Sequence, residues 1–480
     1  MKGELASFLF VILKLEKVKL EVTNRLANEN LEQFQRQKVE DVYIHIPFCH
    51  QVCSYCDFCV LQCPDIFKER KSRQAKLIQP YLTALQNEII SIGSFWQQAK
   101  QINALKSIYF GGGTPSTLQT EEIAQLINTC KKVFNTAADC EITLELNPNH
   151  YSHLDLAYLH SLGLNRISIG MQTSDANLLR FLQREHSYAE VKQAVSAVKQ
   201  AGIYNYSLDL IIALPGQTLK DVKQDLDLAL ALAPKHLSIY SLILEAGSKL
   251  YWQYEHANCP NMVQGLVLPN EDLEREMMHF ATDYLEKQGF RHYEISNFAK
   301  TKATESRHNT AVWLARPYFG FGLNASSYLA GVRRTNTKQI KRYIDLWQTN
   351  LAFSSNEEIN YLSSDLYKAA AFTDVNDEAS AMEDYFAFAL RYLKGVACQD
   401  FVAYFAKDIP ANIKAILLWG IKQGLLSKKE PRLSSSKLDL NSSNQAQVDE
   451  ISKNTVLYVT REGQDYLDVI SRQLIGCLSD

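Results

Sequence analysis

Tyr43-Ile-His-Ile-Pro-Phe-Cys-His-Gln-Val-Cys-Ser-Tyr-Cys-Asp-Phe58 places Cys49, Cys53 and Cys56 directly behind a short apolar run. The run from Val42 to Ile46 reads as a buried strand, so the cysteines sit on the loop that leaves its C-terminal end. Parallel α/β folds put their chemistry there. Three thiols within eight residues point to a metal site, the alternative being small buried hydrophobes. A structural zinc site wants two separated ligand pairs, and no second pair is evident. A C-x3-C-x2-C loop suits one face of an iron–sulfur cubane instead: three soft thiolates bind three irons and leave the fourth open to a substrate or cofactor.

At 480 residues the chain suits one large barrel with appended modules. Hydrophobic content of 46 % and charged content of 21 % are those of an ordinary globular protein, which allows a sizeable core. A net charge of −3 gives no electrostatic footprint for nucleic acid. Ten cysteines in so long a chain make no disulfide scaffold, and their clustering on one loop argues for a reducing compartment, the cytoplasm. Ala6-Ser-Phe-Leu-Phe-Val-Ile-Leu13 is too short to span a bilayer and is interrupted at once by Lys14, Glu16, Lys17 and Lys19. It lacks the small-residue cleavage site of a signal peptide. Residues 1–40 read as an extension outside the chemistry, with at most a peripheral membrane contact.

From Val42 onward strand and helix patterns alternate, the mark of βα units and a mostly parallel sheet. Strands are expected at 42–46, 106–110, 141–146, 166–171, 206–212 and 237–242, and helices near 79–98, 121–133, 153–161, 174–182, 188–200 and 218–232. The conspicuous residues fall at strand ends. Ile108-Tyr-Phe-Gly-Gly-Gly-Thr-Pro-Ser116 closes the second strand with three glycines, which either let backbone approach a ligand or make a tight turn. Glu145-Leu-Asn-Pro148 ends the third strand, Gly170-Met-Gln-Thr173 ends the fourth, and the fifth carries Asp209; Arg184 follows the helix after the fourth. Polar groups converging on one end of one barrel form a site.

A cysteine loop of this spacing, followed one βα unit later by the glycine run, resembles the radical S-adenosylmethionine (SAM) proteins. In that family the amino-acid end of SAM chelates the open iron, and the [4Fe-4S] cluster reduces the sulfonium to a 5′-deoxyadenosyl radical. The fold class expected is α/β: a six-stranded partial (β/α)6 barrel with a smaller C-terminal α+β, winged-helix-like module. Gly163-Leu-Asn-Arg-Ile-Ser-Ile-Gly-Met-Gln172, Asp209-Leu-Ile-Ile-Ala-Leu-Pro-Gly-Gln-Thr218 and Glu294-Ile-Ser-Asn-Phe-Ala299 narrow the resemblance to the branch holding the oxygen-independent coproporphyrinogen III dehydrogenases and the HemW-type haem chaperones. It runs, with gaps, from about Tyr43 to the C-terminus. It implies cluster ligation by Cys49, Cys53 and Cys56, and SAM contacts by Tyr43, Gly112 and Glu145, with Tyr55, Gly113, Thr114, Gln172, Arg184 and Asp209 at the family's second SAM position. Chemically, carboxylates suit ribose hydroxyls or an ammonium, and Arg184 suits a carboxylate.

The divisions expected are the extension 1–40, the barrel 41–270, a family-specific stretch 271–365, and a module 366–480 with a flexible insertion near 430–452. The third contains a charged amphipathic helix at 270–288, a strand near 291–295, and Tyr318-Phe-Gly-Phe-Gly-Leu-Asn-Ala325, which reads as a glycine-containing turn against the barrel mouth. The module shows no basic face for DNA.

Two functions from different classes share this cofactor set. A dehydrogenase would abstract hydrogen from a porphyrinogen propionate and release carbon dioxide; a chaperone would bind haem and hand it to an acceptor protein. The dehydrogenase pattern adds a fourth cysteine two positions after the third, where this chain has Phe58, with Cys59 one residue later. The chaperone loop reads Tyr-Cys-Asp-Phe, as Tyr55 to Phe58 do. Cys59 and Cys63 are read as local packing. The chaperone branch also carries His-Asn-x-x-Tyr-Trp, met here by Arg307-His-Asn-Thr-Ala-Val-Trp313, with Val312 in place of the tyrosine. His308 is the candidate haem contact, and Val312 removes a hydroxyl or an aromatic wall. The reading is therefore a haem chaperone, with the dehydrogenase as alternative.

Overall fold

The structure is a computed structural model that describes residues 38–68, 70–98, 102–256, 267–329, 332–348, 370–375, 378–429 and 450–478. The expectations for residues 1–37 and for the insertion at 430–449 lie outside the described residues. Six parallel strands form the frame: β1 Val39–Ile46, β2 Ile102–Gly112, β3 Thr136–Leu146, β4 Arg166–Gln172, β5 Asn205–Ile212 and β6 His236–Ser241. Each pairs with the next in chain order. Between them run α1 Ile78–Gln98, α2 Thr120–Val133, α3 Leu156–Ser161, α4 Ala176–Phe181, α5 Tyr188–Gln200 and α6 Leu219–Ala231.

Local sequence explains these boundaries. Asp155 and Asp175 cap α3 and α4, while Ser187 with Glu190 and Thr218 with Asp221 form capping boxes that satisfy the first amides of α5 and α6. The apolar stripes of the helices, such as Leu85, Ile89, Ile123, Ile127, Val195 and Leu226, meet Phe110, Leu144, Ile167, Leu208 and Ile239 of the strands in one buried core. Full burial of each such side chain contributes about 1.5–3 kcal/mol.

Further strands extend the sheet at both ends. After α7 Lys249–Glu255 and α8 Glu271–Lys287 come β7 Arg291–Glu294 and β8 Asn297–Ala299; β8 pairs antiparallel with β6, and β7 pairs antiparallel with β8 at the edge. Following α9 Arg307–Trp313, β9 Tyr318–Phe321 joins the other edge of β1 in parallel, and β10 Ser326–Leu329, β11 Val332–Asn336 and β12 Ala370–Val375 follow antiparallel, making twelve strands. The stretch read as a turn at 318–325 thus begins as a strand. Its first glycine is needed for contact, since a Cβ on Gly320 would lie 2.1 Å from the Ser326 carbonyl oxygen. The turn itself comes at Gly322, where φ is +104°.

Residues 378–429 and 450–478 build a second core around a three-stranded antiparallel sheet of Val396–Ala397, Leu426–Lys429 and Val456–Val459. Phe386, Phe401, Ile413, Leu457 and Ile470 fill it, and Ala315 and Tyr328 join it to the barrel. Arg461 to Asp283 (2.7 Å) and His279 to Asp465 (3.0 Å) tie it to α8. Among the described residues no helix is long and apolar enough to cross a membrane.

Candidate functional site

The C-terminal ends of β1 to β6 surround a cavity of about 450 Å³. Of the thirteen residues singled out in the sequence, eleven line it: Cys49, Cys53, Cys56, Tyr55, Gly112, Gly113, Thr114, Glu145, Gln172, Arg184 and Asp209. The cysteine loop is held rigidly over this mouth. Phe48–Cys49 pairs with Leu61–Gln62, Ser54 N donates to the Leu182 carbonyl (3.1 Å), Ser54 Oγ donates to the Phe181 carbonyl (3.0 Å), and the Ser54 carbonyl accepts from Leu250 N (2.7 Å).

Two of the three sulfurs face donors. Thr114 Oγ1 lies 3.4 Å from Cys49 Sγ, and Arg184 Nη1 lies 3.4 Å from Cys53 Sγ while Nη2 donates to the Gly170 carbonyl at 2.9 Å. Burial pushes the Cys49 thiol up to about 12 and raises Cys56 as well, with Thr114 and Arg184 pulling Cys49 the other way. Only a bound metal would draw off such protons at neutral pH. Among the described residues no three His, Cys, Asp or Glu side chains converge on one ion. A cubane asks for something else, one thiolate on each of three irons, and three thiols lining one cavity with side-chain donors beside two of them fit that demand.

Beneath the loop the glycine run is stitched to it: Gly113 N donates to the Ile46 carbonyl (2.8 Å) and Thr114 N to the Phe48 carbonyl (3.0 Å). A Cβ on Gly113 would meet the Ile46 oxygen at 2.9 Å, and one on Gly112, whose φ is +112°, would meet the His45 ring at 2.5 Å. Much of the room these glycines leave is therefore filled by the chain itself. Gln172 turns toward the cavity through a left-handed φ of +63°, a strained conformation for a side-chain-bearing residue.

Two partly buried carboxyls also line the cavity. Glu145 accepts from the Tyr109 hydroxyl (2.9 Å), and burial lifts its pKa to about 7. Asp209 accepts from Ser168 Oγ and Ser207 Oγ, each at 2.9 Å, and burial raises it too. Arg184 stays protonated, its burial outweighed by the neighbouring sulfurs. Thiols, a cation and carboxyl acceptors thus share one cavity, enough to hold a zwitterionic ligand bearing hydroxyls.

Tyr43 and His308 do not line that cavity. They stack below it inside the barrel at 5.7 Å, and His308 also stacks on Tyr109 at 5.1 Å. Helix α9 crosses beneath the barrel, pinned by Arg307 N to Glu141 Oε1 (3.0 Å), Ser306 N to the Tyr293 hydroxyl (3.1 Å) and Trp313 Nε1 to Glu294 Oε2 (3.1 Å). The last bond joins two of the sequence motifs, Glu294-Ile-Ser-Asn and His-Asn-Thr-Ala-Val-Trp. His308 is buried, its Nδ1 has no hydrogen-bond partner, and burial lowers its pKa to about 4, so the imidazole is neutral. The aromatic wall that Val312 removes is supplied from elsewhere: Tyr318 of β9 stands edge-on to His308 at 6.0 Å, beside Tyr43 and Tyr109.

Sequence reasoning passed over several cavity residues, among them Ser168, Tyr240 and Ile243. Ser168 carried a usable signal, since it shares a strand face with Gly170 by two-residue alternation. Cys59 is absent from the lining, its sulfur 3.8 Å from the Lys338 carbonyl, and Cys63 is buried in the core.

Comparison with known proteins places this geometry. Residues 43–229 match the model of the Radical SAM superfamily. The chain is 37 % identical over 311 residues to "Heme chaperone HemW" of Bacillus subtilis, covering 64 % of this chain and 76 % of that one. To the protein of the same name from Lactococcus lactis it is 35 % identical over 325 residues, covering 67 % and 78 %. Among solved structures, that of Escherichia coli coproporphyrinogen III oxidase (HemN), described as a radical SAM enzyme, aligns over 92 % of this chain and 91 % of its own with a TM-score of 0.67 and 18 % identity. That last likeness is one of fold.

Proposed function

The chain belongs to the HemW family of radical SAM proteins, and from that premise we propose that it binds haem and passes it to an acceptor protein. Membership of the superfamily implies SAM and a [4Fe-4S] cluster. We assign the cluster to Cys49, Cys53 and Cys56, and SAM to the cavity they overhang. When bound, that pair supplies one-electron reduction of a sulfonium. The residues of this chain do the rest: Arg184 balances the sulfur charge, Glu145 and Asp209 accept from an ammonium or from hydroxyls, and Gly112 and Gly113 bring backbone to the wall.

The observation that carries the haem reading is the wall beside the thiols. It is made by Asp57 and by Phe58, which is 70 % exposed, and the nearest further cysteine, Cys59, faces away. The site thus offers an aromatic ring, Phe58, beside the Asp57 carboxylate where a porphyrinogen dehydrogenase pattern would set a fourth sulfur. His308 is the proposed iron contact, because it is a neutral imidazole with an unpartnered Nδ1. It is walled by three tyrosines, so ligation requires α9 to shift.

Anaerobic reconstitution followed by two assays on one sample tests this. Haem titration should give a Soret shift that His308→Ala abolishes while the cluster spectrum persists. Catalytic conversion of coproporphyrinogen III with SAM and a reductant would instead establish the dehydrogenase.

A further inference from the structure

Below the cavity the barrel interior holds an unbroken line of hydrogen bonds between α9 and the cavity wall. The backbone N–H of Ser306, the N-cap of α9, donates to the Tyr293 hydroxyl at 3.1 Å. That hydroxyl lies 2.9 Å from His236 Nε2, and His236 Nδ1 lies 2.8 Å from Ser207 Oγ. Ser207 donates to Asp209 Oδ1 at 2.9 Å, and Asp209 lines the cavity. All five residues bury nearly the whole of the line, with Ser207, His236, Tyr293 and Ser306 fully inaccessible to solvent.

With Asp209 ionised, counting protons fixes its direction. Ser207 has one hydroxyl proton, which goes to the carboxylate, so His236 must donate to Ser207 through Nδ1. Nε2 is then an acceptor and takes the Tyr293 proton, which leaves the Tyr293 oxygen to accept from Ser306. Every donor points toward Asp209. His236 must be neutral for this, and burial keeps it so, well below its ordinary pKa. Bonds in series polarise one another, so an event at one end is felt at the other.

We propose that Tyr293 and His236 are positioning residues that tie the helix carrying His308 to Asp209, so that a ligand seated in the cavity steadies that helix and a group bound at the helix tightens the cavity's hold in return. A hydroxyl or ammonium resting on Asp209 keeps it an anionic acceptor and holds the whole line in one order. A protonated Asp209 would donate to Ser207 and reverse the links as far as Tyr293, whose oxygen would then accept from both His236 Nε2 and Ser306 N and leave its own proton outside the line. Coupling of this kind is reciprocal by thermodynamic necessity. Only the second half of the proposal rests on the haem reading.

Hydrogen exchange of the peptide spanning 304–314 tests it, measured on the anaerobically reconstituted full chain with and without SAM. SAM should slow exchange at the start of α9 by about fivefold, the lower end of usual couplings. Tyr293→Phe removes one hydroxyl and keeps the ring; SAM should still perturb the cluster spectrum, while the added protection disappears. Ser207→Ala cuts the line at its other end and should do the same, which decides the matter if Tyr293→Phe misfolds. Tyr206→Phe, whose hydroxyl bonds the Leu232 and Ala233 carbonyls outside the line, should behave as the parent. No SAM-induced protection in the parent, or full protection in both line variants, overturns the proposal. His308→Ala and the Soret band test the haem reading separately, and its failure leaves the exchange result standing.

Discussion

Replacing Glu294 by glutamine should make the protein more stable in mild alkali than its parent while changing little in acid. Glu294 ends β7, is buried, and accepts from Trp313 Nε1 at 3.1 Å and Ser296 N at 3.4 Å. Burial lifts its carboxyl from an ordinary 4.5 to about 7, against the pull of Asn297, Ser296 and Trp313. Between those two values the folded chain keeps a proton that the unfolded chain has released. The stabilisation is therefore complete below 4.5 and lost as pH rises through about 7. At 1.36 kcal/mol per pH unit, that span makes about 3 kcal/mol. Glutamine keeps an acceptor for Trp313 and does not titrate. Buried histidines such as His292, lowered to about 4, act in the opposite sense but are common to both proteins and cancel in the difference. Urea unfolding at pH 5 and pH 8 should show the variant gaining about 2–3 kcal/mol on the parent across that interval. A difference that stays constant with pH would refute the argument.

Cys56→Ser should lose the cluster on reconstitution, whereas Cys59→Ser should keep it, as read by iron content and the visible spectrum; the reverse pattern would mean the ligands are misassigned. Gly112→Ala forces a side chain onto a φ of +112° and a Cβ against His45 at 2.5 Å, so it should cost about 1–3 kcal/mol and lower the melting temperature. Arg184→Lys replaces a planar fork that serves both Cys53 and Gly170 by a point charge. Loss of one charged hydrogen bond should weaken SAM binding about tenfold or more in equilibrium titrations.

The six βα units were legible because their strands are buried on both faces and their helices carry capping residues, two local signals that survive in a single sequence. The cavity residues at strand ends were legible for the same reason, since glycine, carboxylate and arginine stand out against apolar runs. Tyr318–Phe321 was not, because glycine in Tyr-Phe-Gly-Phe-Gly signals a turn locally, and only the approach of Ser326 shows that a strand required it. Tyr43 and His308 were picked out by motif, but their depth in the barrel was not legible. Sequence gives a residue's strand and face, while its height in the barrel depends on a helix some 265 residues away packing under β1 and β2, roughly the kind of non-local contact that periodicity does not encode. The polar line through His236 was invisible because each member is an unremarked buried residue until its neighbours are known.

The parallel pairing of β9 with β1 sets the timing of assembly. The strand that leads into the thiol loop gains its second neighbour only when residue 318 and those after it have been made, about 275 residues later. At roughly 5–20 residues per second of synthesis, the loop waits on the order of 15–55 s outside the ribosome beside a strand with one bare edge. The sheet under the thiol loop is thereby completed only when about two thirds of the 480 residues have been made, and a truncated product ending before Tyr318 would present three thiols beside a strand with one unpaired edge.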